Sequence, residues 1–100
     1  MFFLVLAPDA PDSLEKRLAL RPRHVAYWVK QGAAVKVAGA MLGDDGQDAK
    51  PVGSSFLLEA DDEVAVRALI AADPFMTEGV FSGTVQIQPV RPALGEWLAK

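Results

Sequence analysis

The chain carries a single histidine, His24, and a proline, Pro22, two residues before it. Imidazole is the side chain that changes charge near neutral pH, so His24 is the first candidate for moving a proton. The segment "SLEKRLALRPRHVAYW" around it, Ser13 to Trp28, otherwise reads as helix. On an ideal helix Leu14, Leu18, Val25 and Val29 share an apolar face. His24 then stands at the border of that face, on an edge with Arg17, Arg21 and Trp28. A border histidine is half buried and can reach a pocket between helix and sheet. The second candidate is Asp73, at the end of the second predicted helix and followed by Pro74. A carboxylate on one imidazole nitrogen would fix the tautomer and leave the other nitrogen as a base. Asp9 and Asp12 are competing carboxylates for that place. The plain alternatives are a satisfied histidine at the core edge and an Asp-Pro stop signal.

Three residues of the same segment are candidates for substrate binding. Arg21 falls inside the apolar stripe if the helix stays regular, which suits a guanidinium only if it meets an anion or carboxylate. Arg17 belongs with Lys16, Arg21 and Arg23 to the one basic concentration in the chain. That cluster also reads as a solvated face balanced by Asp12 and Glu15. Ser13 is placed to cap the helix. Asp44, Asp45 and Asp48 form an acidic run without the further ligands a calcium loop needs, so no metal site is expected there. With no cysteine, disulfides and thiolate nucleophiles are excluded. There is no phosphate-binding glycine loop and no nucleophile elbow. The net charge of −3 and the lack of a basic domain argue against nucleic acid as a partner.

These residues need elements to hold them. The chain is 100 residues long and 51% hydrophobic, enough for one domain with one core. "FFLVL" at Phe2–Leu6 is a continuous apolar run without a basic leader, and reads as a strand rather than a signal peptide. Asp12 and Glu15 have the spacing of a capping box, which predicts a helix from there. Pro22 predicts either a kink or an end near Leu20 with a restart, and a bend before His24 in both cases. Gly32 is a left-handed stop. "AAVKVAGAML" (33–42) predicts a second strand, residues 43–53 a loop, and "SSFLLEA" (54–60) a third strand. "DDEVAVRALIAAD" (61–73) predicts a second helix that Pro74 ends, and residues 75–80 a connector. "FSGTVQIQP" (81–89) alternates as a fourth strand. The tail from Val90 carries Trp97 and Leu98, which should dock. The order β-α-β-β-α-β implies an α+β, ferredoxin-like split βαβ fold with two helices on one face of a four-stranded antiparallel sheet. The open face would carry residues of apolar strands, which predicts a homodimer packed sheet to sheet. No run reaches the length of a membrane span, so a cytoplasmic protein with no membrane partner is expected.

Two stretches are specific enough to resemble a family. "DSLEKRLALRPRH" (Asp12 to His24) and "ADPFMTEGVF" (Ala72 to Phe81) resemble the YciI-like proteins, the family of the YCII-related domain. The resemblance runs from about Met1 to Pro89. Gly39-Ala40 stands where many relatives have Gly-Pro. The resemblance implies one YCII-related domain over residues 1–100, with a core of 1–89 and an extension of 90–100. It also implies dimerisation in the dimeric α/β-barrel manner. It implies a His–Asp pair, carried here by His24 and Asp73, with Ser13 and Arg21 near it. The family is related in fold to muconolactone isomerases, and a YciI-type member removes chloride from a chlorinated hydroxyhydroquinone. The expectation is therefore isomerase or dehydrochlorinase/lyase-like acid–base chemistry on a small cyclic or aromatic molecule, without a cofactor. The alternative is a non-catalytic dimeric module, either binding a small molecule or purely structural.

Overall fold

The structure is a computed structural model that describes residues 1–96. Strand β1 (Phe2–Pro8) leads into helix α1 (Leu14–Lys30). After a single 3-10 turn come β2 (Val35–Leu42), β3 (Pro51–Glu59), α2 (Glu63–Ala71), a short α3 (Pro74–Thr77) and β4 (Gln86–Val90). The sheet order is β2-β3-β1-β4, with every neighbouring pair antiparallel. This is the α+β, ferredoxin-like arrangement. Each β-α-β passage skips one strand position, which the intervening antiparallel strand fills.

The apolar run of β1 is covered on one side only. Phe3, Val5 and Ala7 are buried, while Leu4 and Leu6 on the opposite face are 48% and 41% exposed. Phe56 and Leu58 of β3, in register with Val5 and Phe3, extend the buried face, and Val66, Ile70, Phe75 and Val80 close it from above. Deep burial of a side chain of this size stabilises by roughly 1.5–3 kcal/mol, which makes this layer the main source of stability.

Helix α1 departs from expectation in three ways. First, it runs unbroken through Pro22, so the end at Leu20 does not occur. Pro22 is exposed, and the carbonyl its missing N–H leaves unpaired can be hydrated. Second, Ser13 rather than Asp12 is the N-cap residue, and it makes no side-chain cap bond. Asp12 has φ +58°, a left-handed turn conformation that aspartate tolerates, and so cannot form the capping box. Third, the helix is rolled away from its apolar stripe. Leu18, Val25 and Val29 are exposed, whereas Ser13, Arg17 and Trp28 are buried. The buried stripe is a polar and aromatic one, with Leu20, His24 and Tyr27 half buried beside it. Hydrogen-bonded polar groups can occupy a core position at little net cost when every one finds a partner.

The second half of the chain brings smaller corrections. Asp73 does not close α2. It is the N-cap of α3, with Pro74 at the first helical position, so "FMTEGV" begins as helix rather than as a connector. Asp62 caps α2 by accepting from the Ala65 N–H at 2.9 Å. β3 starts at Pro51, three residues before its predicted start, and β4 is confined to Gln86–Val90. Phe81 lies outside that strand and instead bridges Asp9. Gly32 has φ +57° and ends α1 as expected. The docking expected of Trp97 and Leu98 lies outside the described residues.

Candidate active site

His24 faces inward from the middle of α1 and meets Asp73 from the start of α3. Its Nδ1 lies 2.9 Å from both carboxylate oxygens. Asp73 is fully buried and takes two further donors, the Trp28 indole Nε1–H at 2.7 Å and the Phe75 backbone N–H at 2.9 Å. Trp28 is one helical turn beyond His24, so one face of α1 delivers both donors. The N-cap position of Asp73 delivers the third. A carboxylate accepts only, so Nδ1 must carry the proton that it donates to Asp73. In the neutral form of the ring the lone pair would then sit on Nε2.

Aromatic rings fix the imidazole plane. Phe75 stacks on it at 3.9 Å between centroids and 10° between planes, and Phe81 meets it edge-on at 6.5 Å. The chain folds back to hold these rings together, since the N–H groups of Val80 and Phe81 both donate to the Phe75 carbonyl at 2.9 Å. The Arg17 guanidinium also lies over Phe75, 4.6 Å from the ring centre. Arg17 is therefore no surface cation. It donates to Asp9 Oδ2 at 2.8 Å and to Ser54 Oγ at 2.6 Å, so Asp9 serves Arg17 and not His24.

A groove of about 480 Å³ opens between α1 and β2. Arg17, Arg21, His24 and Trp28 line its helix side, and residues 35–40 of β2 line the other. The structure thus gathers His24, Arg17 and Arg21 at one groove, with Asp73 buried behind His24. Ser13 is elsewhere, in a recess with Asp9 and Lys50 at the start of α1. Its hydroxyl has only a long, 3.5 Å contact to the Pro11 carbonyl. Sequence reasoning placed Trp28 on the edge of His24 without giving it a role, and missed Phe75 and Ser54 as parts of this cluster. For Trp28 the spacing of four from His24 was the available signal. Nothing in the sequence pairs Ser54 with Arg17.

The profile of the YCII-related domain matches residues 1–98. The chain belongs to the YCII-related domain family. Among its YCII-family relatives, Protein YciI of Escherichia coli O6:H1 is 33% identical over 96 residues, covering 91% of this chain and 97% of the relative. A solved structure, the 5-chloro-2-hydroxyhydroquinone dehydrochlorinase from Burkholderia phenoliruptrix AC1100 in complex with 2,5-dihydroxybenzoquinone, superimposes with a TM-score of 0.85. It is 27% identical, and the match covers 93% of this chain and 96% of that one. A structure of antibiotic-biosynthesis-monooxygenase type from Bacteroides thetaiotaomicron matches at a TM-score of 0.56 and 19% identity over 94% of this chain and 90% of that one, which speaks to the fold alone. The fold of this YCII-family chain is thus ferredoxin-like, of the dimeric α/β-barrel class.

The cluster has one titration signature. Tyr27 is the chain's one tyrosine, and its hydroxyl donates to the Leu69 carbonyl at 2.5 Å. Burial first, and the Asp73 carboxylate second, push its phenol above the usual value of 10.0. A raised pKa in the folded state means that Tyr27 favours folding below pH 10 and that this contribution fades as pH climbs through the folded value. The phenolate absorbance band should appear at higher pH in the native protein than in the urea-unfolded one. Asp73→Asn should bring the two midpoints closer; coincident midpoints in the wild type would contradict the burial of this phenol.

Proposed function

We propose that this YCII-family protein is a small-molecule enzyme that uses His24 and Asp73 for acid–base chemistry on a hydroxylated, halogenated ring. The observation that carries the reading is the placement of His24, with Nδ1 on a buried carboxylate and the ring lining the groove. The dehydrochlorinase similarity supplies the substrate class. Loss of HX from such a ring requires two proton movements. One proton passes from a hydroxyl to the carbon bearing the halogen. Another leaves a second hydroxyl as the carbon–halogen bond breaks and the halide departs with its electron pair. A neutral imidazole oriented by a carboxylate can carry the first proton from oxygen to carbon and take the second for release to solvent, which balances the departing halide as HX, and neither step requires a redox partner. The test is chloride release from 5-chloro-2-hydroxyhydroquinone by the wild type and by His24→Gln. Release that depends on His24 supports the proposal, and equal release by both proteins, or none by the wild type, overturns it for this substrate.

We also propose a sheet-to-sheet homodimer. Leu4, Leu6, Leu57 and Val37 share the outer face of the sheet and line an apolar depression of about 730 Å³. A second copy would remove that patch from water. Light scattering should give the mass of two chains for the wild type and of one for Leu4→Glu. A monomeric wild type at micromolar concentration would refute the dimer.

A further inference from the structure

The groove beside His24 is built with one sign of charge. Arg17, Arg21 and Lys36 line it, and no carboxylate does, in a chain whose net charge is −3. Two of the three cations are already answered from outside the lining. Arg17 is paired with Asp9 at 2.8 Å and Lys36 with Glu59 at 3.1 Å. Arg21 has no ion pair among the described residues, and it is exposed at the groove. It stands one turn from both Arg17 and His24 on the same helix. Because Asp9 already answers Arg17 and Glu59 answers Lys36, Arg21 is the groove cation left to meet an anion. Val25, Trp28 and Val35 give the remaining walls a largely apolar surface, with Ser54 the polar exception.

We propose that Arg21 makes this groove selective for the anionic form of a small ring compound, a phenolate or an acidic hydroxyquinone, and holds the charged oxygen while His24 addresses the ring. The inference rests on the acid–base reading of His24 for its second half only. An anionic ring sets its charge on the guanidinium and its π-face against the apolar walls, which neither a neutral quinone nor a small inorganic anion can do equally well. Arg21 is thereby a specificity residue, and Arg17 a positioning residue that lies over Phe75 and is held there by Asp9 and Ser54. The substrate-binding role expected of Arg17 gives way to this one, and Ser13 takes no part.

Two probes with one skeleton test this. 2,5-Dihydroxy-1,4-benzoquinone is an anion at neutral pH because its hydroxyls are vinylogous acids, and its dimethyl ether is neutral. By calorimetry the wild type should bind the anion about tenfold or more tightly than the ether, the worth of one charge-assisted contact. Arg21→Gln should remove that preference by weakening the anion alone. Arg21→Lys should restore part of it, and added salt should weaken the anion only. His24→Gln should keep the preference while losing turnover. Equal affinity for both probes, or a preference that survives in Arg21→Gln, overturns the inference. Turnover that survives His24→Gln, with the preference still dependent on Arg21, would instead overturn the acid–base reading and leave the anion site standing.

Discussion

His24→Gln is expected to lower halide release by about 10²–10⁴-fold, the usual worth of a positioned general acid–base group. Glutamine is the informative replacement because its amide can still donate to Asp73 and occupy much of the ring's volume. His24→Ala would leave a void against Phe75, which stacks on the imidazole at 3.9 Å, and would withdraw one of the donors to Asp73. Its loss of activity would then mix chemistry with packing. The two can be separated by rescue. Free imidazole added to His24→Ala should restore part of the turnover, because the void is the shape of the missing ring and the groove admits it. A role confined to packing would let a ring of the same size without a basic nitrogen, such as pyrrole, restore as much turnover as imidazole. It would also leave kcat of the glutamine variant near that of the wild type once the folded fraction is accounted for. Loss in kcat with little change in KM is the expected split, since His24 is proposed to act on protons and Arg21 on binding.

The order of the four strands and two long helices was legible because apolar runs bounded by Pro, Gly and Asp clusters are local signals, whereas α3 and the start of β4 were not. The ring of candidates around His24 was legible in part. What misled was the roll of α1. Counting hydropathy puts Leu18, Val25 and Val29 inside, yet Val29 is 73% exposed and Arg17 is 4% exposed. The decision lies with partners far along the chain. Arg17 can be buried because Asp9 and Ser54 wait for it, and His24 because Asp73 does. Satisfaction of a polar group is a tertiary property, and no window of sequence contains it. Asp73 misled for the opposite reason, since its local signal was real but double-valued. Asp-Pro ends one helix and starts another, because proline is as well suited to the first helical position as it is unsuited to the interior. As an N-cap the carboxylate is favoured by the helix it starts, and the electrostatic penalty expected at the end of α2 does not arise.

Asp73 should be the least replaceable residue of the cluster. Asp73→Ala leaves the His24 Nδ1–H, the Trp28 Nε1–H and the Phe75 N–H without an acceptor. Orphaning a buried group of this kind costs about 3–5 kcal/mol in total. A domain of this size is stable by roughly 5–15 kcal/mol, so a drop in Tm of about 12–40 °C should follow, or outright unfolding. Asp73→Asn separates folding from chemistry. It keeps the shape and one acceptor oxygen, but its NH₂ must face a donor, which should cost about 1–3 kcal/mol in chemical denaturation. The same NH₂ can donate to His24 Nδ1, which moves the ring proton to Nε2 and removes the lone pair from the groove. Turnover should then fall by as much as about 10⁴-fold although the imidazole is still present, as when a His–carboxylate pair elsewhere is given the wrong tautomer. Nitrogen-15 shifts of the single imidazole read this directly: Nδ1–H in the wild type, Nε2–H in Asp73→Asn. Were the tautomer and the rate both unchanged in the asparagine variant, Asp73 would be a structural cap for α3 and nothing more. A changed tautomer with an unchanged rate would remove the lone pair of His24 from the reaction and, with it, the proposed base.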